Sequence, residues 1–518
     1  MIRSLFTVGG FTLLSRILGF VRDKLIAVHL GGGAMADVWV AAFRFPNVFR
    51  RIFGEGAFNA AFVPMYSRRL EEQGDEAADA FANRTLSLMA TILLVCFVVA
   101  FIFMEPIVRY TNWGYAEDGR LELAVDASRI TVVYLVFICL VAALSGVLNS
   151  RRVFGAPAFA YVVLNLVFLG ALLFVIPRTG QPLEVLCWSV VVSGVLQLAV
   201  VLFTALRRGV RLRPRLPKID ADMKRLGILM APGLLSAGVQ QLNLLVGQAV
   251  ASFDVGGQAS IYYADRIQQL PLGIIGMAGS VVLLTEITRN LRGGDDEGAK
   301  KCLNQGMEMA LLLSLPATVA MLVIPQEIMY GIFEGGEFSK EAAVIAGWVL
   351  MAFAPGVPAY VLTKVLQPGY FAREDTKTPM RFSIATALTN MVLVYPLFLW
   401  LGPVGCALAT SIAGWVNVVL LWFGLRNANF MGIVKGFFSR VFRILLASLL
   451  MGGAVWGLAK LAAPILFEDG RFLIRVGVLL ALVMAGVVLY LLSVVVTRVY
   501  TLSELKSRLK RPPADVTS

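Results

Sequence analysis

Histidine is almost absent from this chain, and the cysteines are not clustered as they are in metal sites or disulfide frameworks. The one histidine is His29, and the five cysteines are scattered without a CxxC pair. A metal centre needs several such ligands close together. No GxxxxGK[ST] phosphate-binding motif occurs, which argues against ATP-driven chemistry within this chain. We therefore expect no metal, no cofactor and no enzyme active site of these kinds.

Charged residues are also scarce. They make up 15% of 518 residues, whereas 58% are hydrophobic, and the mean hydropathy is +0.78. Such values are typical of polytopic membrane proteins. A span needs about 20 mainly apolar residues, and the pattern predicts an all-α protein with fourteen transmembrane helices, of which the first, second and eighth are the least hydrophobic. The predicted spans are 5–30, 35–63, 80–104, 123–148, 157–176, 183–206, 226–252, 258–288, 302–324, 342–366, 380–400, 404–425, 438–463 and 472–497.

Lysine and arginine are distributed unevenly between the two sides of this predicted bundle. With the N-terminus inside, the even-numbered connections and the C-terminal tail carry nearly all of them, and the odd-numbered connections carry only about five. This positive-inside bias predicts that both termini are cytoplasmic. The basic residues of these cytoplasmic connections explain the net charge of +13. We therefore expect no nucleic-acid partner.

An internal repeat divides the chain. At an offset of 222 residues, four conspicuous positions match, namely Arg44 with Arg266, Gly54 with Gly276, Arg151 with Arg373, and Pro157 with Pro379. Six spans separate the halves, and an even number favours parallel repeats related by an axis along the membrane normal. The predicted organisation is an N-lobe (1–206, spans 1–6), a basic cytoplasmic linker (207–225), a C-lobe (226–425, spans 7–12), and helices 13 and 14 with a tail (426–518).

The first two spans carry charges where a membrane helix normally has none. On a helical wheel at about 100° per residue, the polar residues of the first span lie within an arc of about 120°. They are Thr12, Ser15, Arg16, Gly19, Arg22 and Asp23. The polar residues of the second span lie on a similarly narrow arc if Pro46 does not turn the helix. They are Asp37, Arg44, Asn47, Arg51, Glu55 and Asn59.

Charges on a membrane helix normally face a hydrated cavity or a partner, because exposure to lipid is costly. Arginines outnumber carboxylates on the two arcs, so we expect a central cationic cavity inside the bundle. A guanidinium offers a planar fork of donors, which favours phosphate or diphosphate as the ligand. The alternative is that the charges pair with one another, as Arg16–Asp23 and Arg51–Glu55, and only hold helices together.

The eighth span extends this hypothesis to the second half of the chain. Its Arg266 corresponds to Arg44 in the repeat, and facing halves would bring it towards the cavity that Arg16 and Arg22 line. Glycines such as Gly19 allow bends or close helix approach in membrane helices. Packing and hinge motion explain them equally well.

Several long motifs resemble one known family. They are SRILGFVRD (15–23), FRFPNVFRRIFGEGAFNAAFVP (43–64), YYADR (262–266) and PGYFAREDTKTP (368–379). The chain closely resembles the MurJ/MviN family of bacterial lipid II flippases, in the multidrug/oligosaccharidyl-lipid/polysaccharide exporter superfamily. The similarity runs along the whole chain, including the two extra C-terminal helices.

The resemblance implies a fold, a substrate and a set of residues. The fold would be two pseudo-symmetric six-helix lobes around a central cavity plus two C-terminal helices. The substrate would be lipid II, the undecaprenyl-diphosphate-linked disaccharide-pentapeptide, moved by alternating access from the cytoplasmic to the periplasmic leaflet of the inner membrane for peptidoglycan synthesis and cell shape. The expected partners are lipid II, membrane lipids and the cell-wall synthesis machinery.

The residues that the resemblance and the polar arcs select fall into two groups. We assign substrate binding to Ser15, Arg16, Arg22, Asp23, Asp37 and Arg266. We assign gating or cavity lining to Gly19, Asn47, Arg50, Arg51 and Glu55. Some family members are linked to a sodium site in the seventh, eleventh and twelfth spans, where this chain offers neutral residues such as Asn243 and Asn390, so we expect no metal.

Two other functions stay open on the residues alone. A membrane-embedded transferase acting on a polyprenyl-diphosphate lipid could use Asp23, Asp37 or Glu55 as a base. A drug or cation antiporter of the same superfamily should have a carboxylate-rich cavity, whereas the arcs here are rich in arginine. A transferase would change its lipid chemically, whereas a flippase would change only its leaflet.

Overall fold

The chain is helical almost throughout. The computed structural model describes residues 2–51, 58–213, 217, 219–468 and 472–499, with side chains for all of these except 2–6, 235–236, 274–282 and 468. In these ranges the β-structure is limited to an isolated bridge between Gly335 and Phe338. The all-α prediction from hydropathy is confirmed.

The chain folds as two compact units, of which the first comprises residues 1–259 and 335–339. A 3₁₀ turn (Trp113–Ala116) and a π-helical turn (Ala171–Val175) interrupt its helices. The helices of this unit are α1 (Ile2–Leu30), α2 (Ala34–Phe49), α3 (Phe58–Ile102), α4 (Met104–Thr111), α5 (Arg120–Thr131), α6 (Tyr134–Ser150), α7 (Gly155–Gly170), α8 (Ile176–Thr179), α9 (Pro182–Arg207) and α10 (Ala221–Ala251).

The second unit comprises residues 260–334 and 340–518. Helix α11 begins three residues before this unit, and the remaining helices lie within it. They are α11 (Gly257–Arg292), α12 (Asp296–Val323), α13 (Pro325–Phe333), α14 (Lys340–Phe353), α15 (Gly356–Phe371), α16 (Lys377–Leu401), α17 (Pro403–Asn427), α18 (Phe437–Glu468) and α19 (Phe472–Val496).

Many of these helices are long and apolar enough to cross a membrane. In the described part of the chain, ten helical segments meet this condition, and the bent pair within α10 makes eleven. The three other predicted spans fall on α1, on α2 with the start of α3, and on α11. These are the spans whose charges lower their hydropathy, and the predicted fourteen is compatible with the helices observed.

The connection predicted between the second and third spans is itself helical. Helix α3 runs from Phe58 to Ile102, and its backbone departs from helical geometry at Gly74, with φ +82°. The hydropathy pattern places this charged segment between the second and third spans. Its Glu, Ala and Arg residues have high helix propensity, which explains why it continues as a solvated helix.

Each unit has its own packed interior. In the first, α7 packs against α1 and α9, α6 packs against α3 and α9, and α2 packs against α5. In the second, α12, α15 and α17 surround a core that includes Leu366, Leu421 and Leu425. Helices α18 and α19 pair with each other and with α12 around Ile444 and Tyr490. The predicted C-terminal hairpin is therefore packed on the second unit.

The unit boundary lies later in the chain than the predicted lobe boundary. Helix α10 belongs to the first compact unit, where it packs against α3 and α4, although the repeat places it at the beginning of the C-lobe. The lobes are defined by equivalent sequence positions, whereas the compact units are defined by packing. The packing therefore does not test the lobe boundaries, which stay a prediction.

The turn at residues 335–339 is closely fitted to the end of α1. The N–H of Glu337 donates to the carbonyl of Val28 at 2.8 Å. Gly31 and Gly336 both have positive φ, and a Cβ on either would lie 2.6 Å or less from a backbone oxygen of the other segment. Only glycine fits these two positions.

Candidate functional site

Arg22 is the centre of a buried polar network inside α1. Its Nε and Nη2 donate to Asp23 Oδ1 at 3.0 and 2.8 Å, and its Nη1 donates to Asn165 Oδ1 at 2.9 Å. Arg22 is 8% exposed and Asp23 is 3% exposed. The guanidinium also lies over the Phe168 ring, 5.5 Å from its centroid. The predicted polar face of α1 thus contacts α7 at a charged, hydrogen-bonded site.

Asn165 extends the network to Ser15. Its Nδ2 donates to the carbonyl and to the hydroxyl of Ser15 at 3.0 and 3.1 Å, and to the carbonyl of Tyr161 at 3.1 Å. A Cβ on Gly19 would lie 3.6 Å from the Asn165 side chain, so this glycine lets α1 and α7 approach. Sequence reasoning missed Asn165, although a lone amide within an apolar span was a usable signal.

Arg16 lies on the same helix but in a different environment. Six residues separate it from Arg22, which corresponds to about 9 Å along the helix axis. Arg16 is exposed, whereas Arg22 is buried. Asp23 forms its ion pair with Arg22 at 2.8 Å. The two arginines predicted to act together therefore differ in burial, and the more exposed one lies nearer the beginning of α1.

The second polar arc is described only in part. Arg50 Nε donates to Asn47 Oδ1 at 3.1 Å, and Asn47 Nδ2 donates to the carbonyl of Phe43 at 2.8 Å. Arg51 is exposed. Glu55 lies outside the described residues, so the proposed Arg51–Glu55 pair stays a prediction, as does the role of these residues in gating.

Asp37 lies in a second network near the beginning of α2, where it is fully buried. Its Oδ2 accepts from Arg120 Nη1 at 2.6 Å and from the N–H of Gly256 at 2.7 Å, and its Oδ1 accepts from the N–H of Ala259 at 2.8 Å. Arg120 also donates to the carbonyl of Ser252 at 2.7 Å. The carboxylate thus satisfies N–H groups at the beginning of α11, which a helix cannot satisfy itself.

This network gives Asp37 contacts that the sequence did not suggest. Its oxygens are engaged by protein donors in this conformation, whereas the sequence assigned it to substrate binding, an assignment that stays a prediction. Arg120 lies in an odd-numbered connection between the predicted spans 80–104 and 123–148, yet it is 4% exposed and pairs with Asp37. No sequence signal distinguished it from a surface arginine.

Arg266 belongs to the second unit. Its guanidinium lies over the Tyr262 ring, 4.6 Å from the centroid, in the geometry of a cation–π contact. Arg16 and Arg22 belong to the first unit. The convergence of these three arginines on one ligand stays a prediction.

Comparisons with known proteins agree with this architecture. A family model described as "Lipid II flippase MurJ" matches residues 26–476. The chain belongs to the lipid II flippase MurJ family. A probable lipid II flippase MurJ of Rhizobium tropici is 40% identical over 95% of this chain and 93% of its own. One of Rhizobium meliloti (strain 1021) is 38% identical over 88% and 86%.

A solved structure of a MurJ protein supports the fold. It is described as an inward closed conformation, is 24% identical, covers 97% of this chain and 99% of its own, and superposes with a TM-score of 0.78. The sequence-based identification with the MurJ/MviN family is therefore confirmed.

Proposed function

We infer that this chain is a lipid II flippase, a transporter of the inner bacterial membrane that moves undecaprenyl-diphosphate-linked peptidoglycan precursor between leaflets by alternating access. Membership of the MurJ family is the observation that carries this function. The long apolar helices make the chain a multi-pass membrane protein. The chemistry needed is recognition and movement, since flipping forms and breaks no covalent bond.

The buried arginine network supplies the chemistry that recognition of a diphosphate needs. Arg22 directs three nitrogens at Asp23 and Asn165. A diphosphate offers the same kind of acceptor as the Asp23 carboxylate, with more charge. We propose that substrate replaces these internal acceptors, with Arg16, Arg22 and Arg266 as the diphosphate ligands and Ser15, Asp23 and Asp37 beside them. Gly19, Asn47, Arg50, Arg51 and Glu55 are proposed to line or gate the path.

The orientation and further partners are also part of this proposal. The positive-inside bias supports cytoplasmic termini, which would place the basic segment 207–225 on the side where the substrate is made. Association with the cell-wall synthesis machinery is proposed on the ground that the flipped lipid is its precursor.

A leaflet-accessibility assay tests the function. Purified protein in proteoliposomes should move lipid II between leaflets and leave its mass unchanged. A change in mass without movement would favour the transferase. Movement of a cationic drug but not of lipid II would favour the antiporter.

Arginine-to-lysine substitution tests the site. Lysine keeps the charge but loses the planar fork, so Arg16→Lys, Arg22→Lys and Arg266→Lys together should impair lipid II transport strongly. The matched control is Arg109→Lys, because Arg109 is exposed on α4 and pairs with Glu105 of the same helix. Full transport by the triple variant would show that the arginines are not diphosphate ligands.

A further inference from the structure

Two buried asparagines hold extended backbone in the same way, one in each compact unit. In the first unit, Asn83 Nδ2 donates to the carbonyl of Arg211 at 2.7 Å, and Asn83 Oδ1 accepts from the N–H of Arg213 at 2.9 Å. In the second, Asn304 Nδ2 donates to the carbonyl of Gly432 at 2.7 Å, and Asn304 Oδ1 accepts from the N–H of Val434 at 3.4 Å. We call each arrangement an asparagine clamp.

The clamps occupy equivalent positions in the repeat. Asn83 and Asn304, Arg211 and Gly432, and Arg213 and Val434 are each 221 residues apart. This differs by one residue from the offset of the sequence motifs. The same contact in two divergent halves is difficult to explain by chance, because both partners must be retained in each half.

The helix ends that precede the clamped segments are also alike. Helix α9 is followed by Gly209 with φ +79°, and α17 is followed by Asn429 with φ +59°. The next residue then donates back to the helix, Val210 to Ala205 and Phe430 to Leu425. This is the left-handed termination that directs a chain away from a helix axis.

Each clamped segment leads into a helix that is also held by an ion pair. In the first unit, Arg84 Nη1 lies 2.7 Å from Asp220 Oδ2, and Asp220 caps the beginning of α10. In the second unit, Arg440 in the first turn of α18 lies 3.0 Å from Glu308 of α12. The polarity of the pair is reversed between the units, and its member on the clamp helix differs in position, because Arg84 directly follows Asn83 whereas Glu308 lies four residues after Asn304.

The clamps are too well satisfied to open easily. Asn83 is 6% exposed and Asn304 is 1% exposed. Opening a clamp would leave a buried amide and two backbone groups without these bonds. In the first unit, Asp79 Oδ2 adds a hydrogen bond from the N–H of Arg211 at 2.8 Å. These bonds are made to backbone, so they do not depend on the side chains of the clamped segment.

We propose that Asn83 and Asn304 are positioning residues that keep the beginnings of α10 and α18 fixed to α3 and α12 throughout the transport cycle. Residues 211–213 of the connection between α9 and α10 are then docked on α3 rather than part of a free loop. The start of α10 moves with the first unit, and the start of the C-terminal hairpin moves with the second. The proposal rests on the proposed transport function only for its activity readout.

Chemical bridging tests the first clamp. Glu76 and Arg211 form an exposed ion pair at 2.8 Å, so Glu76→Cys with Arg211→Cys, on a background lacking the native cysteines, can be bridged by a short bis-methanethiosulfonate reagent. The bridged protein should move lipid II at the rate of the unbridged one. Loss of transport on bridging, restored by reduction, would overturn the proposal.

Matched pairs control for the reagent and extend the test. Glu105→Cys with Arg109→Cys bridges two residues of α4 and restrains no other element. Lys300→Cys with Gly432→Cys is the equivalent in the second unit, where a Cβ on Gly432 would lie 3.9 Å from the Lys300 side chain. Transport should survive bridging in all three pairs.

Replacing Asn83 by alanine distinguishes a positioning role of its side chain from a role in folding. Asn83→Ala should lower transport several-fold, and the 76/211 bridge should restore it, because a covalent link replaces the clamp. Full transport by unbridged Asn83→Ala would overturn the proposal. Hydrogen exchange at the N–H of Arg213 gives a readout independent of lipid II, which should be slow in the wild type and fast in Asn83→Ala. Fast exchange in the wild type would contradict the clamp even if lipid II is not the substrate.

Discussion

The carboxylate of Asp37 accepts a hydrogen bond of 2.8 Å from the backbone N–H of Ala259, which lies 222 residues later in the chain. This separation equals the offset at which the sequence motifs repeat. The beginning of α2 therefore contacts the beginning of its repeat equivalent, α11. Arg120 donates to the same carboxylate at 2.6 Å and so stabilises a junction between equivalent helix starts.

Removing either member of the Asp37–Arg120 pair should be strongly destabilising. Both side chains are at least 96% buried, and breaking a buried pair from one side costs about 3 kcal/mol or more. Asp37→Ala, Arg120→Ala and the double variant should be compared by denaturant unfolding in detergent. The double variant should lose much less than the sum of the single losses.

The exposed pair Glu105–Arg109 is the control for this cycle, with 55% of each side chain accessible. Its coupling should be within about 0.5 kcal/mol of zero. Equal coupling energies for the two pairs would mean that the buried Asp37–Arg120 pair stabilises the fold no more than an exposed pair does.

Asn165 should be needed for transport even though the sequence analysis did not select it. Asn165→Leu removes the acceptor of Arg22 Nη1 and the Nδ2 donor of both hydrogen bonds to Ser15, so the guanidinium should lose its fixed orientation. We expect weaker lipid II binding and at least severalfold slower transport. Binding can be measured by titration in detergent, with Ser145→Ala as the control, because its hydroxyl bonds to Val141 in its own helix. Equal affinities in both variants would remove Asn165 from the site.

Asp375 should make the stability of the second unit sensitive to acid. Hydrogen bonds from the backbone N–H of Thr378 and its side chain lower the pKa of the Asp375 carboxyl below its ordinary value, and the same carboxylate accepts from the N–H of Lys377 at the start of α16. Because the pKa of Asp375 is lower in the folded state, its ionised carboxylate stabilises the fold at pH values above the pKa of an unfolded aspartate, about 3.9. It is lost as the pH falls through the folded pKa.

The stability of wild type and Asp375→Asn should therefore differ at neutral pH and converge below about pH 4. Thermal unfolding from pH 3 to 7 measures the difference, and Glu374→Gln serves as the neighbouring control. A difference that persists unchanged at the acid end would assign the effect to something other than the charge of Asp375.

Arg475 should anchor the C-terminal hairpin. This α19 residue is 4% exposed, forms an ion pair with Glu334, and lies over the Tyr330 ring, 5.3 Å from its centroid. Arg475→Met should lower the unfolding temperature, because the helix loses its charged contact with the segment that follows α13. Lys460→Met is the control, since Lys460 is exposed and lies over Trp456 of its own helix. Similar losses in both variants would argue against an anchoring role.

The sequence predicted what depends on local pattern and missed what depends on distant pairing. Length and hydropathy located the ten or eleven long apolar helices of the described residues, because a bilayer imposes the length and hydropathy of its spans directly. The polar face of α1 followed from helical spacing, and Arg22 does lie on a buried polar contact. Its partner Asn165 is 143 residues away, and Arg120 is 83 residues from Asp37. Nothing in local composition encodes such pairings, which arise only when helices pack.

The asparagine clamps bear on how such a chain grew. If one six-helix gene segment was duplicated, each copy carried the turn after its last helix and the asparagine that holds it. In the first copy the held segment 211–213 joins α10, and in the second the held segment 432–434 joins α18. The C-terminal hairpin is thus attached at the chain position where a third copy would begin.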